Sequence, residues 1–155
     1  MIPTYISRPL YWVTLLTAMH GLFLIGCQQA ADRERLPAQG IVYLGDKPLT
    51  NATLTFTPHN ETPGEGGSGQ SNAQGEFQIA GFEGKPGLIA GVYRVSISKL
   101  LRPDGSEFPA NSELGPMDSD GRESIPEKYS DPLRTELTAN VIPGSGKFDF
   151  KLLAD

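Results

Sequence analysis

The chain has 155 residues, with 13 basic and 18 acidic side chains, a formal net charge of −5, one cysteine and two histidines. That acidity excludes a nucleic-acid partner gripped through its phosphates, which needs a basic surface. A lone cysteine excludes an internal disulfide, and so few histidines leave no zinc ligand set.

The first 26 residues read as a secretory leader. Residues 1–8 carry the amino terminus and Arg8 as positive charges and no acid. Residues 10–25 form a mostly apolar run, interrupted by Thr14, Thr17, His20 and Gly21. A membrane-spanning helix needs about 20 apolar residues, whereas the apolar part of a signal peptide needs about 7–15. The expectation is a signal-peptide helix. The run closes on Leu24-Ile25-Gly26-Cys27. These residues resemble a bacterial lipobox: a branched aliphatic residue, a small or aliphatic one, Gly or Ala, then Cys. The resemblance implies diacylglyceryl transfer to the Cys27 sulfur, cleavage before Cys27, and acylation of the new amino terminus by a chain such as palmitate. One acyl chain binds a bilayer only reversibly, at about 0.8 kcal/mol per buried methylene, and two or three make desorption negligible. In enterobacteria an Asp after the Cys resembles an inner-membrane retention signal. Gln28 stands there instead, which points toward the outer membrane, with the domain in the periplasm or at the outer surface of the envelope.

Removing the leader takes away one base, Arg8, and no acid, so the mature part carries a net charge of −6. That charge tells against electrostatic docking on anionic lipid. Residues 27–37 lack periodicity and read as a tether. Residues 38–155 read as one domain with a loop insertion at 100–124.

Within the domain a strand is expected at 38–44, followed by a turn at Gly45-Asp46-Lys47-Pro48. In the next strand, 51–58, Ala52, Leu54 and Phe56 alternate with Thr53, Thr55 and Thr57, which places the first set on a core face. Residues 59–70, rich in Gly and polar side chains, read as a flexible loop that buries nothing. A turn and strand at 71–79 send Phe77 and Ile79 inward, and 81–90 is a glycine-rich connection. Residues 91–99 are the clearest strand, with Tyr93, Val95 and Ile97 on one face. Residues 100–124 form an irregular polar insertion, of a length that is uncommon in compact domains. A proline-bounded motif at 125–132 precedes a strand at 135–141, with Leu137, Ala139 and Val141 inward. A turn at 143–146 leads to a last strand at 147–153, with Phe148, Phe150 and Leu152 on one face. Abundant Gly and Pro between short β-branched and aromatic runs predict an all-β fold, a small antiparallel β-sandwich of about seven strands.

The motifs Gly-Asp-Lys-Pro-Leu (45–49), Thr-Phe-Thr-Pro (55–58), Asn-Ala-Gln-Gly-Glu-Phe (72–77) and Gly-Val-Tyr-Arg-Val-Ser-Ile (91–97) resemble those of the carboxypeptidase regulatory-like, or transthyretin-like (prealbumin-like), β-sandwich domain. Ile125 to Pro132, followed by a Thr-rich strand, is similar to small lipoproteins that planctomycetes encode in many copies. The resemblance spans roughly residues 38–153 and implies the fold; the fold itself hosts many tasks. Three residues have a stated physical part in it. Gly75 suits a turn needing φ > 0. Gly91 permits close backbone approach. Tyr93 supplies a core ring whose hydroxyl reaches a loop carbonyl.

Chemistry is sparse. His59 is the only histidine of the mature chain and no nucleophile-elbow pattern accompanies it. The fold includes 5-hydroxyisourate hydrolases, and a related sandwich includes intradiol dioxygenases. The histidines, tyrosines and C-terminal motif those enzymes use are absent here. Residues 118–123 resemble the start of a calcium loop, with Asp118, Asp120 and Glu123 as candidate ligands. Tyr129 occupies the place of the closing bidentate Glu, so a solvated acidic turn is the plainer reading. No catalytic residue, cofactor or resident metal is expected. Three functions follow as expectations. The first is a non-catalytic, lipid-anchored envelope module, held to the membrane at Cys27, with an envelope protein or glycan as partner. The second is a carbohydrate- or peptide-binding module using the 100–124 loop, with Phe108 and Tyr129 nearby, or a sheet edge. The third is an enzyme pairing acids such as Glu107, Glu113 and Glu123.

Overall fold

The computed structural model describes residues 33–108 and 120–154. The leader, Cys27 and Asp118 lie outside the described residues. The compact unit that carries the fold begins at Arg33. Its elements, in chain order, are β1 (Arg35–Leu36), β2 (Gln39–Leu44), β3 (Lys47–Pro48), β4 (Thr53–Pro58), β5 (Gly67–Gln70), β6 (Glu76–Gln78), β7 (Ala80–Gly81) and β8 (Leu88–Ile89). There follow β9 (Gly91–Ser98), β10 (Leu100–Leu101), β11 (Arg122–Glu123), the single-turn helix α1 (Glu127–Ser130), β12 (Thr138–Val141) and β13 (Lys147–Leu152).

Two sheets form the sandwich. One has five strands in the order β12-β9-β4-β5-β7; the other has four, with β13, β2 and β3 in line and β6 also paired to β2. The all-β sandwich-like architecture expected from the sequence is the one observed. One pairing departs from a wholly antiparallel plan. The first long strand and the last, β2 and β13, run parallel, with Gln39 opposite Lys147 and Leu44 opposite Leu152. A hairpin cannot make such a pair; here the whole domain is the connection.

Period-two alternation decides which side chains are inside. Leu54 and Phe56 of β4, and Tyr93, Val95 and Ile97 of β9, are buried, while their neighbours reach solvent. Phe56 lies at the centre, its ring 6.2–6.4 Å from those of Phe77, Tyr93, Phe148 and Phe150. Leu137 and Phe148, expected inside, are partly buried against this cluster. Val42, Leu49, Leu88 and Ile125 join the core as well.

The segment 59–70 is corrected most. Its last four residues, Gly67–Gln70, form β5 inside the five-stranded sheet, and Gly66 and Gly67 are buried. Glycine here is a packing residue. A Cβ on Gly67 would overlap the Ala80 carbonyl, and one on Gly69 the Gln78 carbonyl. The segment 81–90 also enters the fold, through β8 and the buried Leu88. Strand β8 pairs with β1, which places Arg35 and Leu36, read as tether, in the domain.

The strand registers define two poles. Thr53 sits opposite Ser98 and Pro58 opposite Tyr93, so β4 and β9 run between opposite ends of the sandwich. One end gathers β1, the 59–66 segment, the turn after β7 and the 142–146 turn: the N-terminal pole. The other gathers residues 49–51 and the stem of the 100–124 insertion: the loop pole.

Candidate functional site

At the loop pole, residues near the two ends of the insertion pair as β10 and β11, Leu100 opposite Glu123. Charged side chains lock this stem. The Lys99 ammonium donates to a Glu107 carboxylate oxygen at 2.7 Å and to the Thr50 hydroxyl at 3.3 Å. Asn51 donates to the other Glu107 oxygen, from a backbone at φ +54°. The Lys99 hydrogen bond first, then the one from Asn51, hold the Glu107 carboxyl below its ordinary range. Glu123 is equally engaged. It accepts from the Ser98 hydroxyl at 2.6 Å and from the backbone N–H groups of Lys99, Ser124 and Ile125.

The residues expected to carry chemistry are thereby placed. Glu123, a calcium candidate, spends its carboxylate on the stem, and Asp120 is exposed in the turn before β11. Asp118 and Glu113 lie outside the described residues. Among the described residues no three His, Cys, Asp or Glu side chains gather as a metal site. His59 ends β4, where its backbone N–H donates to the Val92 carbonyl.

Of the two aromatic side chains near the insertion, Tyr129 serves packing. Tyr129 packs on the core and its hydroxyl accepts from the Leu153 N–H at 3.1 Å. That N–H lies on the free edge of β13, so the ring and hydroxyl close the end of that edge. The Lys128 ammonium stands 5.2 Å from its ring centre, and the Arg102 guanidinium stands 5.6 Å from that of Phe108. Each ring already has a cation over it, which is not the open aromatic floor a sugar stacks on.

The N-terminal pole is built differently. The Thr62 hydroxyl donates to the Val92 carbonyl and accepts from the Val92 N–H, both at 2.8 Å, imitating one step of a strand ladder. Gly91 makes this possible, because a Cβ there would overlap Thr62. The Tyr93 hydroxyl donates to the Ile89 carbonyl at 2.7 Å, as the sequence predicted. Burial raises the Tyr93 phenol above its ordinary range, with Arg35 acting in the opposite sense, so the group stays a neutral donor. Beside it a cleft of about 140 Å³ is lined by Arg35, Gly64, Phe82, Glu83, Ile89 and Tyr93 among others. Arg35 donates to the Gly87 carbonyl at 3.3 Å and lies 3.6 Å from Glu83. Phe82, on the rim, is 58% exposed. Sequence reasoning passed over Arg35 and Phe82; an aromatic in the polar turn Gly81-Phe82-Glu83-Gly84 was the available signal.

Compared with protein-family models, with curated proteins and with solved structures, the chain gave no match.

Proposed function

We propose that this chain is a lipid-anchored β-sandwich of the bacterial cell envelope, acting by interaction rather than by bond chemistry. One observation carries the reading: Leu24-Ile25-Gly26-Cys27 closes the apolar run, and the compact unit begins six residues later at Arg33. A fold that starts so soon after an acylated cysteine is held close to the bilayer. Two of the three carboxylates considered for catalysis support the non-enzymatic part. Glu107 and Glu123 are committed to the loop stem, and the depressed Glu107 carboxyl suits an ion pair and not a general acid.

The direct test is metabolic labelling with a palmitate analogue in a bacterial host. Wild-type protein takes the label and partitions with membranes; Cys27→Ala takes none and stays unprocessed. Label retained in Cys27→Ala, or native protein with residues 1–26 still attached and Cys27 unmodified, would sink the anchor. Turnover by the purified chain that a point substitution abolishes would overturn the non-catalytic role.

A further inference from the structure

We infer that the N-terminal pole is a bilayer-contact surface, with Phe82 and Ile142 as its apolar contacts. The inference rests on the anchor proposed above and goes beyond it, since an anchor alone leaves the domain free to face any way.

The large apolar side chains left exposed among the described residues are Phe82, Leu133, Ile142 and Leu153. Two of them, Phe82 at 58% and Ile142 at 46%, sit on the two turns that flank β1. The first turn joins β7 to β8, and β8 pairs with β1, Leu36 opposite Leu88. The second joins β12 to β13 and is held by the Gln39 N–H donating to the Gly146 carbonyl. The chain therefore enters the fold between two apolar turn tips. Turns at a domain surface are normally polar, and neither tip is needed by the core.

Chain length fixes what those tips can reach. Six residue steps separate Cys27 from Arg33, a span of at most about 20 Å when fully extended. The eight residues of β9 put the loop pole about 25 Å farther off at roughly 3.3 Å per residue. The N-terminal pole thus stays within reach of the acyl chains, while the loop pole is held away when the tips are in contact.

Charge agrees. The mature chain carries a net charge of −6. At this pole the bases Arg33, Arg35, Lys85 and Lys147 balance the acids Glu34, Glu61, Glu65 and Glu83. Glu83 is moreover paired with both Arg35 and Lys85. Among the described residues these charges cancel, so most of the excess acid lies elsewhere on the domain. Contact is therefore apolar, with aromatic and aliphatic tips at the headgroup boundary. Two side chains are too few to hold an unanchored protein, but they act at high effective concentration once Cys27 is tethered.

The mature chain has no tryptophan, since the one present is Trp12 in the leader. Single Trp reporters can thus be placed by Phe82→Trp, Ile142→Trp, Leu133→Trp and Leu153→Trp. Each full-length protein, purified lipidated from membranes, is reconstituted into vesicles of brominated phosphatidylcholine, with and without phosphatidylglycerol. The expected result is roughly two-fold or greater quenching and a blue shift at positions 82 and 142, and neither at 133 and 153, as for aromatic side chains seated at the interface. Quenching should not depend on the anionic lipid. Protein that floats with vesicles in a Cys27-dependent way, but shows no quenching at 82 and 142 or equal quenching at all four positions, overturns the contact surface and leaves the anchor standing. A requirement for phosphatidylglycerol overturns the apolar basis. Flotation that Cys27→Ala does not diminish removes the anchor and this inference with it.

Discussion

At the pole where β9 ends, Lys99, Glu107 and Glu123 close the stem of an insertion with charge-assisted hydrogen bonds; at the pole where β9 begins, the neutral side chains Thr62 and Tyr93 hold the strand end and two apolar tips stay uncovered. The loop pole turns its polar side chains on one another, which leaves them little capacity for a ligand. The N-terminal pole meets its backbone requirements with Thr62 and Tyr93 and leaves apolar surface over. If Cys27 carries the lipid as proposed, exposed apolar groups at this pole have an obvious partner; a mutually satisfied charge network has none. The contrast teaches that the described stem of the acidic loop spends its charges on holding itself closed.

The comparison presumes one core beneath both poles, and Phe56 tests that presumption hardest. It is fully buried and touches four other rings. Phe56→Ala should cost about 3–5 kcal/mol and raise amide hydrogen exchange at both poles together. Loosening confined to one pole would mean that the sandwich is two cooperative units. Thr62→Val comes next. It removes both hydrogen bonds to Val92 and leaves that N–H unpaired, while the carbonyl keeps the His59 N–H, at about 1–3 kcal/mol. Exchange should rise around residues 59–66 and 91–93 and stay unchanged around Lys99 and Glu123. Equal changes at both ends would erase the distinction. Tyr93→Phe is smaller, about 1 kcal/mol, because the Ile89 carbonyl it abandons borders the cleft and can turn to water. Urea unfolding should show a shifted midpoint with an unchanged slope.

Much of this was legible in the chain, for a physical reason. β4 and β9 alternate strictly, and a half-buried strand has no other way to place Leu54, Phe56, Tyr93, Val95 and Ile97. Gly75 fits in the same way, adopting φ +76° in the turn before β6. What escaped lies where glycine hides a strand. Gly67-Ser68-Gly69-Gln70 has no alternation to read, because its inward positions must be empty to let residues 78–80 approach. The parallel pairing of β2 with β13 escaped because register between distant strands leaves no local trace. The Lys99–Glu107 pair lies eight positions apart in the chain and also needs Asn51 from another segment. Phe82 looked like a stray aromatic in a turn, and only its position beside β1 gives it meaning.

The smallest effect sharpens the comparison most, because acid acts on the depressed Glu107 carboxyl at the loop pole. Lys99 and Asn51 keep the folded Glu107 carboxyl below its ordinary value of 4.5, which the unfolded chain regains. At neutral pH both states are ionised and the stabilisation is complete. As pH falls below 4.5 the unfolded chain binds the proton first, and the contribution drains away until pH has passed the lower folded value. With the Glu107 side chain 44% exposed, solvent screening limits the effect to about 1 kcal/mol or less. Glu107→Gln should therefore be slightly less stable than wild type at neutral pH and indistinguishable from it at about pH 3, and added salt should narrow the neutral-pH gap. Thr62→Val, which breaks only neutral hydrogen bonds, should keep the same deficit across that range. If its deficit also vanished in acid, the charge dependence would belong to the whole domain, and the two poles would not differ in kind.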